Sequence, residues 1–511
     1  MDKSFGYDQI NNTFRIARHQ VGDFGLHLSL IRSFSWGNNF PVESPFFPGA
    51  PLPYHYYFDL IVGILEGMGM RIDLAFNGLS ILFFTSLLFL IYKLPQVIFK
   101  QSKILGLTSV ILFVFHSSLT FIDFIKQKGI SASVFSDLWS LPDYLNKGPF
   151  DKSVISIFFT LNVLLNQRHL IAALSISLFI FYFLFKKIND NYKLSLSIVI
   201  MGIILGLLSR FHTLVFFSTS MAIFFLLFLY KRFRLILLLF IPALIIFGFH
   251  AREILGQDLS HPFLNPGFLA EKPLTILSFS KFWFLNLGLA AVLIPLGFFI
   301  SNNKQKKIFL VFLPLFILGN IFQFGFRIDH NHALFNFFII FANFYIAFFL
   351  LSIWERKFLG KIVFGILLFI LTFSGLIDLM ALKNDFQLSL NDAPANKLIY
   401  WIKNNTDKRD IFLSRQEILD PIALSGRKNY LGHEYYLSVM GYDFSKRKEN
   451  IEKFWGAKDI EVLNEMRSEK IKYIVVPKKK IADFNYNIDM SYLEKNLRLV
   501  FEDDNVLVFK L

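Results

Sequence analysis

TLVFFSTSMAIFFLLFLY-KRFR-LILLLFIPALIIFGFH, residues 213–250, decides how this chain is built. Two apolar runs of about bilayer-spanning length flank a four-residue loop in which Lys231, Arg232 and Arg234 are basic. Working outward, similar apolar runs fall at about 76–92, 104–125, 168–185, 194–209, 282–300, 308–325, 334–353 and 362–380, which makes ten with the first two. Five connecting loops are short and carry three Lys/Arg each: Lys93–Lys103, Lys186–Lys193, Lys231–Arg234, Lys304–Lys307 and Arg356–Lys361. They follow every second run, so they share one face of a membrane, and their charge makes that face cytoplasmic. The expectation is a mainly α, polytopic transmembrane helical bundle of about ten spans.

Composition agrees with a lipid-embedded chain. The protein has 511 residues, 54% of them hydrophobic, including 66 Phe. Its net charge of +14 is largely accounted for by the fifteen basic residues of those loops. The charge is therefore read as topology and attraction to anionic membrane lipids, with no nucleic-acid partner. The absence of cysteine excludes disulfides, thiolate metal sites and cysteine nucleophiles. Histidines sort against the lysines. His19, His27, His55, His169, His212, His250, His261, His330, His332 and His433 fall on the outer side, His169 and His250 at the outer ends of their runs, and only His116 lies in the interior of one.

The chain divides into a membrane domain, 1–383, and a small extracytoplasmic α/β domain, 384–511. Within the first, residues 20–75 form an outer segment. Gly22–Phe34 has helical spacing, a turn-rich stretch covers Gly37–Pro53, and Tyr54–Met70 reads as an interfacial helix. Beyond 384, helical patterns (Ala395–Asn404, Asn450–Phe454, Ile460–Glu469) alternate with β-rich runs (Asp410–Leu413, Ile471–Val476, Leu497–Phe501, Val506–Phe509). The alternation places residues 1–75 outside with no signal peptide to export them, so either the first span inserts with its N-terminus outside or a transmembrane helix precedes it, and the preceding helix is the expectation.

Candidate chemistry gathers at outer helix boundaries. Asp23 and His27 are four apart and share a helical face, as do His55 and Asp59. An acid there can take a proton from a hydroxyl while the imidazole orients it. The plainer readings are an N-cap Asp beside an unrelated His, and the polar edge of an interfacial helix. Arg168 and His169 open a span, suited to an anionic ligand or to snorkelling toward headgroups. Arg210 and His212 sit between two closely spaced spans, where an ionisable residue marks function. Arg327, Asp329, His330 and His332 form the densest group. Arg327 suits phosphate, and the other three suit a sugar's hydroxyls or a divalent cation, with a polar cap on a helix turn as the alternative. The spacing matches no defined zinc motif. Several cations and one acid at the outer membrane surface fit a lipid-linked phosphate substrate.

Asp23 with His27 in a first outer segment, the proline-rich stretch leading to Pro51-Leu52-Pro53-Tyr54-His55, the helix after it, the late loop Asp329-His330-Asn331-His332 and the α/β tail together resemble the GT-C superfamily of membrane glycosyltransferases. The match is to a poorly characterised prokaryotic branch, with the superfamily's first helix missing and its usual acidic pair replaced by Asp23 and His27. The resemblance implies an inverting enzyme of the cell envelope, multi-pass in the plasma membrane. It would move a sugar from a polyprenyl-phosphate-linked donor to a glycan, lipid or protein acceptor on the extracytoplasmic face. Asp23 would be the general base. Arg210, Arg327 and Arg168 would hold donor phosphate, and His27, His55, Asp59, His169, His212, Asp329, His330 and His332 would line the site. A divalent cation, Mg or Mn, is the cofactor it allows. The rival readings are a transporter or flippase of lipid-linked sugars, and a non-catalytic membrane scaffold. Spans nearly free of charge, with Asp123 and Asp378 near their ends, weigh against a transporter.

Overall fold

Apolar residues that recur without interruption, free of internal charge, can satisfy their backbone only by helix formation in lipid. In a computed structural model of the chain, which describes residues 1–145, 154–187, 196–254, 262–479, 484 and 486–511, each of the ten apolar runs lies largely on helix, although 104–125 is interrupted after Val114, 282–300 is broken after Leu287 and the helix of 308–325 ends at Ile321. Among the described residues, five helices are long and apolar enough to cross a membrane: Ile72–Phe99, Arg168–Lys187, Phe233–Ile254, Ile328–Trp354 and Phe358–Lys383. Ile276–Leu287 and Ala290–Ile300 make a sixth if they count as one span, bent by 86°. Lys103–Val114, Leu196–Phe211 and Thr213–Leu229 are apolar but shorter. His261 and most of the loop after Lys187 lie outside the described residues.

The chain forms two compact units, one of residues 80–251 and 261–386, the other of Met1–Leu79, Arg252–Ser260 and Gln387–Leu511. The first seventy-nine residues thus pack with the C-terminal region, whereas the sequence boundary at 383 grouped them with the spans.

In the helical unit, Ile328–Trp354 is 89% buried over its most apolar window and Phe233–Ile254 only 22%, so the former is the central helix and the latter offers its apolar side chains to lipid. Glycines set one close contact. A Cβ at Gly202 would lie 2.4 Å from the Leu239 carbonyl oxygen and one at Gly206 2.8 Å from that of Ala243. This four-residue spacing of small residues lets Leu196–Phe211 and Phe233–Ile254 approach backbone to backbone.

The other unit is α/β. Phe5–Asp8, Thr13–Ala17 and Gln387–Asn391 form an antiparallel sheet in which Thr13 is opposite Asn391. A five-stranded mixed sheet runs Lys428–Asn429, Ile411–Leu413, Ile471–Pro477, Val506–Lys510, Arg498–Glu502. Against it pack helix α1 (Val21–Ser35), through Leu26 and Leu30, and Tyr56 just before helix α2 (Tyr57–Gly67), together with Phe46, Tyr436, Trp455 and Phe509. The first outer segment is therefore part of the α/β core.

Candidate functional site

Gln20 stands at the N-cap of α1, and Asp23 lies in the first turn, where the helix dipole favours a carboxylate. The simple capping role for Asp23 is replaced by that placement. One turn on, His27 is buried. The expected face shared by His55 and Asp59 is absent, because α2 begins at Tyr57 and leaves His55 outside the helix. Asp59 reaches across to α1 instead. His27 Nδ1 lies 2.9 Å from Asp59 Oδ2 and 3.2 Å from Oδ1, and neither residue meets solvent appreciably. A carboxylate has no proton to give, so Nδ1 carries the hydrogen and donates it. Burial lifts the Asp59 carboxyl above its ordinary range, while His27 draws it back.

Two tyrosines close this neighbourhood. Tyr54 stacks on His55 with ring centroids 4.0 Å apart. Burial, then the charges of Asp59 and Asp23, hold its phenol well above the usual value. Tyr436 donates its hydroxyl to the Gly22 carbonyl at 2.6 Å, and burial and Asp23 likewise push its phenol up. Asp23, His27, Tyr54, His55, Asp59 and Tyr436 thus share the α/β unit.

Sequence reasoning missed the ion cluster farther along α1. Buried Arg32 lies with Nε 3.2 Å from Glu66 and donates from Nη2 to Asp392 at 2.7 Å. Its guanidinium sits 3.3 Å from the centre of the Trp36 ring, and Lys403 Nζ 3.5 Å from the same ring. Burial raises the Glu66 carboxyl and depresses the Lys403 ammonium. The available signal was an arginine inside an otherwise apolar helical stretch, Leu28–Ile31 preceding it. Asp420 is a second buried acid. It caps Pro421–Leu424 through Ile422 N at 2.8 Å and accepts from Asn429 at 2.6 Å, and burial pushes its carboxyl up to about 7.

In the helical unit, Arg168 is buried at the start of its span and donates from Nε to the Leu165 carbonyl at 2.6 Å. The rings of His169 and His212 lie 5.5 Å apart. Arg210 ends Leu196–Phe211, where the carbonyl end of a helix suits a cation, and lies within electrostatic reach of buried His250. His330 and His212 are within such reach of His332, whose Nε2 is 3.2 Å from Gln167 Nε2. Arg327 pairs with Asp329 at 2.6 Å. Asn331 is a staple: its amide donates to the Gly319 and Phe322 carbonyls and accepts from Phe324 N. In the late loop Asn331 therefore makes the structural polar cap that the sequence offered as one reading.

Mg and Mn prefer oxygen donors. Asp329 is engaged by Arg327, with His330 and His332 next to it in the chain, and Asp59 by His27, with Asp23, His55 and the phenols of Tyr54 and Tyr436 in the same unit. The late loop, as it stands, lacks the oxygen-rich set those ions take, whereas the α/β unit holds the carboxylates of Asp23 and Asp59.

No protein-family model matches the sequence, and no curated protein does. Solved structures do. The chain is similar to an archaeal oligosaccharyltransferase. That enzyme, from Archaeoglobus fulgidus, matches in complex with an inhibitory peptide and a dolichol-phosphate with a TM-score of 0.49, 11% identity, and 89% of this chain covered against 65% of that one. Tethered to an acceptor peptide with the NVT sequon it gives 0.48, 12%, 89% and 64%. The apo form gives 0.48, 12%, 91% and 66%. This chain thus spans a little less than two thirds of the length of the enzyme it matches.

Proposed function

We propose that this chain is a GT-C-type membrane glycosyltransferase. It takes a sugar from a polyprenyl-phosphate-linked donor and passes it to a hydroxyl or similar nucleophile of a glycan, lipid or protein on the extracytoplasmic face of the plasma membrane. The shorter apolar helices complete about ten crossings, and residues 384–511 lie outside with the first outer segment. The observation that carries the reading is Asp23 in the first turn of α1, with the buried His27–Asp59 pair one turn on.

The chemistry is a single displacement. Asp23 accepts the acceptor's proton as its oxygen bonds the anomeric carbon. The bond from that carbon to the phosphate oxygen breaks, and its electron pair leaves on the phosphate. Within the helical unit the candidates for holding phosphate are Arg210 and Arg327, with Arg168, because a guanidinium in low-dielectric surroundings stabilises such charge strongly. Arg327 releases Asp329 as phosphate binds. Asp59 fixes the tautomer and angle of His27, which with His55 and Tyr54 orients the incoming hydroxyl. His169, His212, His330 and His332 donate to the phosphate and sugar oxygens.

The test is Asp23→Asn in membranes supplied with a lipid-linked sugar. Losing a general base lowers turnover by about 10²–10⁴-fold. Undiminished transfer eliminates Asp23 as the base.

A further inference from the structure

A cavity of about 620 Å³ opens in the α/β unit between the loop Ser414–Leu419, the helix Glu434–Val439 and Trp455. None of its lining residues belongs to the site described above. Its size falls within the range of small-ligand sites, about 300–1,000 Å³. We propose that this cavity receives the acceptor, and that the acceptor is a carbohydrate. The inference rests on the transfer chemistry just proposed and names the substrate class for it.

The lining has the two faces that a sugar ring needs. Tyr486, 36% exposed, stacks against Trp455 with ring centroids 5.9 Å apart and planes at 29°. Such a ring offers the negative face of its quadrupole to the C–H face of a pyranose. The same lining holds carboxylates kept in place by cations. Glu417 Oε1 accepts from Arg415 Nε at 2.7 Å, and Glu434 Oε1 lies 2.9 Å from Lys448 Nζ. A carboxylate so pinned keeps lone pairs for hydroxyl donors, and the Arg415 fork and the Gln416 amide serve hydroxyl acceptors. Hydroxyls are both at once, which matches this alternation of charge. A peptide captured by strand addition needs an open sheet edge. The edge strands of the five-stranded sheet, Lys428–Asn429 and Arg498–Glu502, contribute no residue to the lining.

The walls are fastened to the turn that carries Asp23. Tyr436, on the helix that forms one wall, donates to Gly22 O at 2.6 Å. The other wall presses on Gly25, where a Cβ would lie 2.3 Å from the Ile418 carbonyl oxygen and 2.4 Å from the Tyr436 hydroxyl. Only a residue without a side chain lets loop, helix and α1 meet there. The cavity walls are thereby in direct contact with the helix turn that carries the proposed base.

The experiment is saturation-transfer NMR on the full chain in detergent, with maltotriose, chitotriose and trigalacturonic acid as probes and a random hexapeptide mixture as the contrast. At least one trisaccharide should receive saturation. The signal should fall about fivefold or more in Tyr486→Ala and in Glu417→Gln, both at solvent-accessible positions, and persist in Asp23→Asn. No transfer to any of the three sugars, transfer unaffected by both variants, or transfer to the hexapeptides alone overturns the assignment. The two proposals fail separately. Full sugar transfer by Asp23→Asn with sugar binding lost in Tyr486→Ala removes the base and leaves the cavity; loss of transfer in Asp23→Asn with variant-insensitive binding removes the cavity alone.

Discussion

Asp59→Ala isolates the pair that joins α1 to α2. In the folded protein the imidazole of His27 and the carboxyl of Asp59 meet at 2.9 Å with almost no exposure. Removing the carboxyl strands a buried ring nitrogen. A neutral donor left without a partner costs about 1–3 kcal/mol, and one member of a buried ion pair left alone costs about 3–5 kcal/mol. Asp59→Asn retains an acceptor oxygen for Nδ1–H and loses only the charge, so its cost should sit near the lower figure. Chemical unfolding of purified protein, followed by the near-ultraviolet signal of the α/β core, measures both. Turnover separates position from stability. Loss of a carboxylate that orients a histidine typically lowers function about 10–100-fold, and Asp59→Asn should do this under conditions where the protein remains folded. Asp59→Glu should recover part of it only if the longer side chain still reaches Nδ1. Equal, small costs for Ala and Asn together with wild-type turnover would refute the reasoning, because the pair would then neither hold the helices nor orient the ring.

Two further expectations follow from other buried groups. Asp420, fully buried, has its carboxyl raised to about 7, so its contribution is complete below the ordinary carboxylate range and lost as pH rises through about 7; Asp420→Asn, which cannot ionise, should match wild type near pH 4 and exceed it by up to roughly 4 kcal/mol at pH 8.5, and a parallel pH profile for the two proteins would contradict this. Gly202→Val places a branched side chain where even a Cβ meets the Leu239 carbonyl at 2.4 Å; thermal unfolding in detergent should show a loss of about 1–3 kcal/mol, and an unchanged midpoint would mean the two helices separate without cost.

Much of the local structure is legible along the chain. The helices at 76–92, 168–185, 334–353 and 362–380 announce themselves because membrane solvation acts on each segment separately and needs only a run of apolar residues. Strands near 411, 471, 498 and 506 follow from short β-rich runs between turn residues. The candidate site was half legible. Asp23, His27, His55 and Asp59 stood out as polar residues at helical spacing; Asp23 and His27 do share α1, but α2 starts two residues after His55, and Asp59 answers to His27 thirty-two residues earlier.

The sequence by itself therefore determined the solvent of each segment, the alternation of apolar helix and basic loop, and which side chains had chemistry to offer. Only the tertiary structure decided that Thr13–Ala17 pairs with Gln387–Asn391, that Arg32 bonds Asp392, and that Asp59 holds His27. The physical reason is one of range. Hydropathy and helical period are sums over neighbours a few residues apart, so a linear reading recovers them. A buried ion pair is settled by which helices and strands share a core, and the sequence separation of 360 between Arg32 and Asp392 leaves no periodic trace.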